Sequence, residues 1–150
     1  MLRSERIGAA LKNWKLTSPE ETKSWGSGFA KELKSGDLIL VSGELGSGKT
    51  TLAQGIGEGL GVRIRITSPT FLKIQSYPGR WTFHHLDLYN VGSIQELEKL
   101  GIYDVLEPEN GICFVEWWDR FPDLFSKPYY AIRLEKSGQD RILTCEWISA

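Results

Sequence analysis

Cysteine is nearly absent: Cys113 and Cys145 are the only two in 150 residues. Two thiols exclude a disulfide framework and a four-cysteine zinc site, and they are expected to be free in a reducing cytosol. Long apolar runs are missing as well. The longest, Leu38-Ile39-Leu40-Val41 and Ile112-Cys113-Phe114-Val115, are strand-sized, far short of the ~20 residues of a membrane helix. Neither sign of charge dominates, since 18 Lys and Arg stand against 19 Asp and Glu for a net charge of −1. That balance excludes a chain that coats nucleic acid by bulk charge. A small anion patch at Arg63 and Arg65 is compatible with it, although a solvated edge is the simpler reading. Internal repeats, low-complexity tracts and linker-like shifts are lacking too, so residues 1–150 are expected to form one domain. The apolar patch Ile7 to Leu11, among Arg3, Arg6 and Lys12, is too short for a secretory signal. It is expected to lead into the first strand, in a cytoplasmic protein.

The remaining pattern alternates helix and strand. Asn13 to Thr17 reads as an edge strand. Ser18-Pro19-Glu20-Glu21 reads as a helix start, with Ser18 as N-cap, Pro19 at the first helical position and Glu21 completing a capping box. Trp25, Phe29 and Leu33 give that helix one apolar face, Gly26 and Gly28 suggest a close neighbour, and Gly36 can end it. Leu38 to Val41 suits a central strand covered on both faces, followed by a helix from Lys49 to about Leu60. Gly55, Gly57 and Gly59 leave that helix dependent on tertiary packing. Ile64 to Thr70 looks extended. Leu72 to Tyr77 and Trp81 to Tyr89 flank Pro78-Gly79-Arg80 as a hairpin. Ser93 to Leu100 reads as a helix, Ile112 to Trp117 as a second buried strand, and Tyr130 to Glu135 with Arg141 to Trp147 as a terminal hairpin around Ser137-Gly138. The prediction is an α/β fold: a mixed sheet flanked by helices, with antiparallel hairpins.

Gly43-Glu44-Leu45-Gly46-Ser47-Gly48-Lys49-Thr50 matches G-x-x-x-x-G-K-[ST] without substitution. Gly46 and Gly48 allow the tight turn that points backbone N–H groups at a polyphosphate. Lys49 supplies a compact charge near the outer phosphates, Thr50 a hydroxyl for Mg²⁺, and the following helix its positive end. A strand before the loop and a helix after it are the context this motif requires.

Such a loop needs a carboxylate at the end of another strand. Glu116 follows the cleaner buried strand and is assigned the metal. Asp87 ends a half-polar strand and could bind metal through water or orient the attacking water. Thr67-Ser68-Pro69-Thr70 is placed where a switch segment could sense the terminal phosphate, although a capped turn is the simpler reading. His84 and His85 are adjacent on a strand, so they point to opposite faces and do not ligate one metal. Trp117 and Trp118 are expected to divide in the same way, one in the core and one over the nucleotide or a partner.

These motifs, together with His85-Leu86-Asp87-Leu88-Tyr89, Glu96 to Gly101 and Val115-Glu116-Trp117, resemble the TsaE (formerly YjeE) family of small bacterial P-loop ATPases over roughly residues 17 to 141. The chain departs from the family pattern at Asn90, where many members carry Arg, and at Trp118, where a smaller residue or Pro is common. The resemblance implies an ATP- and Mg²⁺-dependent ATPase that works with the TsaB and TsaD proteins in making threonylcarbamoyladenosine beside the tRNA anticodon. Contact with the tRNA would be indirect, through the complex. It implies that Lys49, Thr50, Glu116 and Asp87 form the catalytic and metal site, that Thr51 continues the loop, and that Trp117 lies beside it. Pro19 and Gly138 would wall the nucleotide. A small-molecule kinase would share the loop but needs an Arg-rich lid, and no run of arginines occurs late in the chain. A nucleotide-dependent binding module would need no water-positioning group.

Overall fold

The computed structural model describes residues 11–69 and 73–149. The expected N-terminal lead-in, Thr70 and Leu72, the expected start of the third strand, lie outside the described residues. The first strand, β1 (Lys12–Leu16), leads into α1 (Pro19–Phe29). Ser18 caps α1, its Oγ accepting the Glu21 N–H at 3.1 Å. Glu21 does not close the capping box onto Ser18. Its carboxylate accepts instead from the N–H and hydroxyl of Thr17, both at 2.7 Å, so the reciprocal bond is shifted one residue outward. A short 3₁₀ turn carries the chain to Leu33, and Gly36 then turns at φ 96°.

The order continues as β2 (Leu38–Ser42), α2 (Lys49–Gly59), β3 (Ile74–Tyr77) and β4 (Phe83–Asp87). After these come α3 (Ile94–Lys99), α4 (Ile102–Leu106), β5 (Ile112–Glu116), β6 (Tyr129–Ser137) and β7 (Asp140–Ile148). All seven strands share one sheet in the order β1-β7-β6-β2-β5-β4-β3. The four central strands β6, β2, β5 and β4 run parallel, while β3, β7 and β1 add on antiparallel at the two sides. The expected mixed sheet, both hairpins and the edge strand are therefore present. The stretch from Val62 to Pro69 forms no strand, and α4, which follows Gly101 at φ 85°, has no counterpart among the expected elements.

The sheet is covered on both faces, which explains the uninterrupted apolar runs of β2 and β5. One face packs Phe29, Ile39, Val41, Leu52, Ile56 and Phe114 beneath α1 and α2. The other packs Leu40, Leu86, Leu97, Ile102 and Val115 beneath α3 and α4. Each such side chain contributes about 1.5–3 kcal/mol by leaving water, so the sheet is a rigid platform for what projects from its edge. Because β2, β4 and β5 are parallel, their C-terminal ends share that edge. Val41 stands opposite Glu116, and Glu116 opposite Asp87.

Candidate functional site

The phosphate loop leaves this edge from Ser42 and re-enters helix at Lys49. The Ser47 N–H donates to the Glu44 carbonyl oxygen at 3.1 Å and closes the turn. Gly48, at φ 106°, adopts the left-handed conformation directly before α2, which an L side chain reaches only under strain. Gly43 is required for a different reason: an added Cβ would lie less than 3.0 Å from both the Ser47 hydroxyl and the Leu134 carbonyl. Ser47 is buried and its Oγ has no hydrogen-bond partner. Glu44 is exposed, and its side chain lines neither cavity beside the loop.

Those cavities flank the loop. One, of about 340 Å³, gathers Leu45, Lys49, Thr50, Ser68, Asp87, Glu116 and Trp117. The other, of about 180 Å³, is walled by Ser18, Pro19, Thr22, Gln139 and Arg141. Gly46, Gly48 and Thr51 border both, so a nucleotide lying across the loop would place its two ends on opposite sides of it. Pro19, which the resemblance implied would wall the nucleotide, lines the smaller cavity. Gly138 lines neither cavity, and the hairpin contributes Gln139 and Arg141 instead. Thr67 and Pro69 are also outside the lining, and of the switch-like segment only Ser68 reaches it among the described residues.

Lys49 is buried among these groups. Its Nζ donates to the Gly43 carbonyl oxygen and sits 4.1 Å from the centre of the Trp117 ring. Burial lowers its pKa below the usual lysine value, against the opposing pull of Glu116, Asp87 and Asp119. Trp117 holds φ 57°, a strained conformation for an aromatic residue, and its ring lies 4.9 Å from that of Tyr89. Both tryptophans lie against the α3–α4 cluster, so their faces do not alternate at this turn, and Trp117 borders the cavity while Trp118 does not. Trp118 packs toward the α3–α4 face beside Tyr129 and donates its indole N–H to Ser42 Oγ at 3.2 Å.

The two histidines do take opposite faces. His84 is bonded to Ser76 Oγ at 2.6 Å and to the Asn110 carbonyl oxygen at 2.7 Å. His85 is fully buried and contacts Glu116 Oε2 through Nε2 at 2.5 Å. Asp87, half-buried beside them, accepts the Tyr89 N–H on Oδ1 at 3.0 Å. Its carboxyl is raised above the ordinary Asp value by burial and by Glu116, against the Tyr89 N–H, His85 and Lys49. Both cysteine thiols are buried, which pushes them up to about 12 and leaves them unreactive.

Hard oxygen donors converge here: the Thr50 hydroxyl and two neighbouring carboxylates whose mutual repulsion a cation would relieve. No cluster of three or more His, Cys, Asp and Glu that could hold a metal exists among the described residues. A partial oxygen set completed by substrate phosphates is how Mg²⁺ is commonly bound, so the residues fit that ion. No arginine lines the 340 Å³ cavity among the described residues.

A parallel sheet edge carrying this loop, with carboxylates on the neighbouring strands, defines a P-loop α/β protein. Comparison with known proteins narrows the class. Residues 16–143 match the family of the threonylcarbamoyl adenosine biosynthesis protein TsaE, and the chain belongs to that family. It is 42% identical over 110 residues to the tRNA threonylcarbamoyladenosine biosynthesis protein TsaE of Synechocystis, covering 71% of this chain and 69% of that protein. Against the Bacillus subtilis TsaE it is 34% identical over 128 residues, 85% and 79% of the two chains. The crystal structure of Bacillus subtilis YdiB superposes with a TM-score of 0.75 at 29% identity, over 93% of this chain and 87% of that one. No described helix is long and apolar enough to cross a membrane.

Proposed function

We propose that this chain is the ATPase of tRNA threonylcarbamoyladenosine synthesis, acting in the cytoplasm with TsaB and TsaD. In this role it binds Mg²⁺·ATP and hydrolyses it slowly on its own. One observation carries the reading: the loop, Lys49, Thr50, Asp87 and Glu116 converge on a single cavity.

Backbone N–H groups of residues 46–50 and the positive end of α2 would bind the phosphates. Lys49 would trade the Gly43 carbonyl for the outer phosphate oxygens. Thr50 and Glu116 would hold Mg²⁺, which when bound neutralises charge along the polyphosphate. Among the described residues Asp87 accepts a hydrogen bond on Oδ1 alone, which leaves Oδ2 to orient a water and take its proton as that water attacks the terminal phosphorus. The bond to the bridging oxygen breaks, and ADP leaves with phosphate. Its raised pKa makes Asp87 a better base than an ordinary aspartate. The missing arginine leaves transition-state charge partly uncompensated, which fits slow turnover without partners.

Binding isotherms for Mg²⁺·ATP with the wild-type chain and Lys49→Ala test the site. Loss of a charge facing the triphosphate should weaken binding about 10- to 100-fold, from ~1.5–3 kcal/mol per charge-assisted contact. An unchanged isotherm rejects the assignment.

A further inference from the structure

The geometry points to His85 as the positioning residue of the metal carboxylate: its Nε2–H fixes Glu116 Oε2 and thereby presents the other oxygen, Oε1, to Mg²⁺. This rests on the reading of Glu116 as a Mg²⁺ ligand and adds a residue whose role lies beneath it. His85 has no exposed surface, and among the described residues no carboxylate other than that of Glu116 is bonded to its ring. Strand register brings them together, because His85 lies two residues before Asp87 on β4 and Asp87 pairs with Glu116 on β5.

The chemistry of the pair shows which way the bond runs. Nδ1 is buried and has no hydrogen-bond partner. The imidazole lies edge-on to Phe114 at 5.3 Å and tilted to Phe83 at 6.5 Å between centroids. An ionised carboxylate oxygen can only accept, so the 2.5 Å contact needs a proton on Nε2, and the neutral ring is left with its lone pair on Nδ1. The ring therefore carries its proton on Nε2 and donates it to the carboxylate. An ionised carboxylate also costs free energy to bury unless it is hydrogen-bonded, and this donor meets that need at one oxygen. A glutamate held in this way has one orientation in place of several rotamers, so less freedom is lost when the metal binds. Partners of this outer kind change metal affinity by about 10- to 100-fold when removed.

The test compares four chains by calorimetric Mg²⁺ titration of the ADP complex, with thermal melting as the control for folding. His85→Phe keeps a ring between Phe83 and Phe114 but has no donor, and should raise the Mg²⁺ half-saturation about 10- to 100-fold. His85→Gln places an amide N–H near the position of Nε2 and should restore most of that loss. Glu116→Gln separates the two claims. If it shifts the Mg²⁺ titration and His85→Phe does not, the positioning role is overturned while the metal assignment stands. If neither shifts it, both fall. Should His85→Phe fail to fold, the wild-type chain answers directly, since ¹⁵N-histidine labelling gives signals from only two residues. The His85 Nε2–H resonance should persist against exchange and move when Mg²⁺ joins the ADP complex. An unmoved resonance overturns the proposal.

Discussion

Arg141 braces the phosphate loop across a separation of 94 residues, its Nε donating to the Ser47 carbonyl oxygen at 3.1 Å. Nη2 donates to the Gly46 carbonyl at 3.2 Å, and Nη1 to those of Asp140 and Gln139 at 2.9 and 3.4 Å. A trans peptide directs its C=O and N–H oppositely. Turning the Ser47 carbonyl toward β7 therefore turns the Gly48 N–H away from it, toward the α2 end of the loop. All three nitrogens of the guanidinium are engaged with carbonyls, so Arg141 holds the loop and is not a free cation for the transferring phosphoryl group. Arg65 is exposed and lines a separate cavity beside Lys23 and Glu58.

Replacing this brace should loosen the loop without removing any group that touches the nucleotide's phosphates. For Arg141→Ala, ATP affinity should fall about tenfold, near the lower end for hydrogen bonds from charged donors because the side chain is half-exposed. Arg141→Lys should lose nearly as much, since one ammonium cannot span the Gly46 and Ser47 carbonyls with a fixed fork. Calorimetric dissociation constants for the two variants check this, and wild-type affinity in Arg141→Ala would show the contact to be incidental.

Asp87→Asn should stabilise the nucleotide-free chain while abolishing most turnover. Burial and Glu116 raise the folded-state pKa of Asp87 above the ordinary 3.8. A raised acid pKa means the folded state binds more protons than the unfolded one, so stability falls as pH rises from about 3.8 through the folded value. At pH 7 the charge is an unfavourable presence in the fold, and its removal should raise the melting temperature by about 1–3 °C. That gain should disappear below pH 3.8, where the carboxyl is neutral in both states. The Tyr89 N–H keeps an acceptor in the amide, so the loop there stays in place. Melting curves of the two chains between pH 3 and 8 decide it, and a lower melting temperature at pH 7 would contradict the stated sign.

What the sequence made legible were features set by neighbours in the chain. The glycine-rich turn, the cap at Ser18, the doubly covered strands β2 and β5, and the two hairpins each follow from a local pattern. What escaped it depends on pairing between distant segments. Period-two alternation places His85 and Asp87 on one face of β4, but only the register with β5 brings Glu116 to His85, 31 residues away. Arg141 carries no local sign that it will reach Ser47, because that contact arises from the parallel pairing of β6 with β2. The hairpin contributes Gln139 to the cavity wall and not Gly138, a one-residue error of the kind that turn geometry decides. Trp117 departs from alternation because the chain bends directly after β5.

Turnover by the isolated chain should be slow and should rise when TsaB and TsaD are added. The cavity has one lysine and, among the described residues, no arginine to meet charge on the transferring phosphoryl group. An arginine supplied by another protein is worth about 10³- to 10⁵-fold in comparable P-loop enzymes. Steady-state phosphate release, alone and with both proteins, measures the effect. Rapid release by the chain alone, unchanged on addition, would reject partner dependence and leave the nucleotide site intact.

The glycines of α1 and α2 should divide by what surrounds them. Gly55 faces the α1 backbone so closely that an added Cβ would lie less than 3.0 Å from Lys23 main-chain atoms, which cannot swing aside as a side chain could. Alanine there gains about 1 kcal/mol of helix propensity but meets overpacking of about 1–3 kcal/mol. Gly55→Ala should therefore lower the melting temperature by up to a few degrees. It should also weaken ATP binding, because α2 begins at Lys49 and a displaced helix moves the end that faces the phosphates. Gly28 sits in α1 with nothing within 4 Å of an added Cβ. Its substitution by alanine removes freedom from the unfolded chain without a clash, so Gly28→Ala should raise the melting temperature by about 1–4 °C and leave affinity unchanged. Differential scanning calorimetry of both variants tests the distinction. If Gly55→Ala melts higher than the wild type, close approach of the two helices is not what keeps glycine at that position.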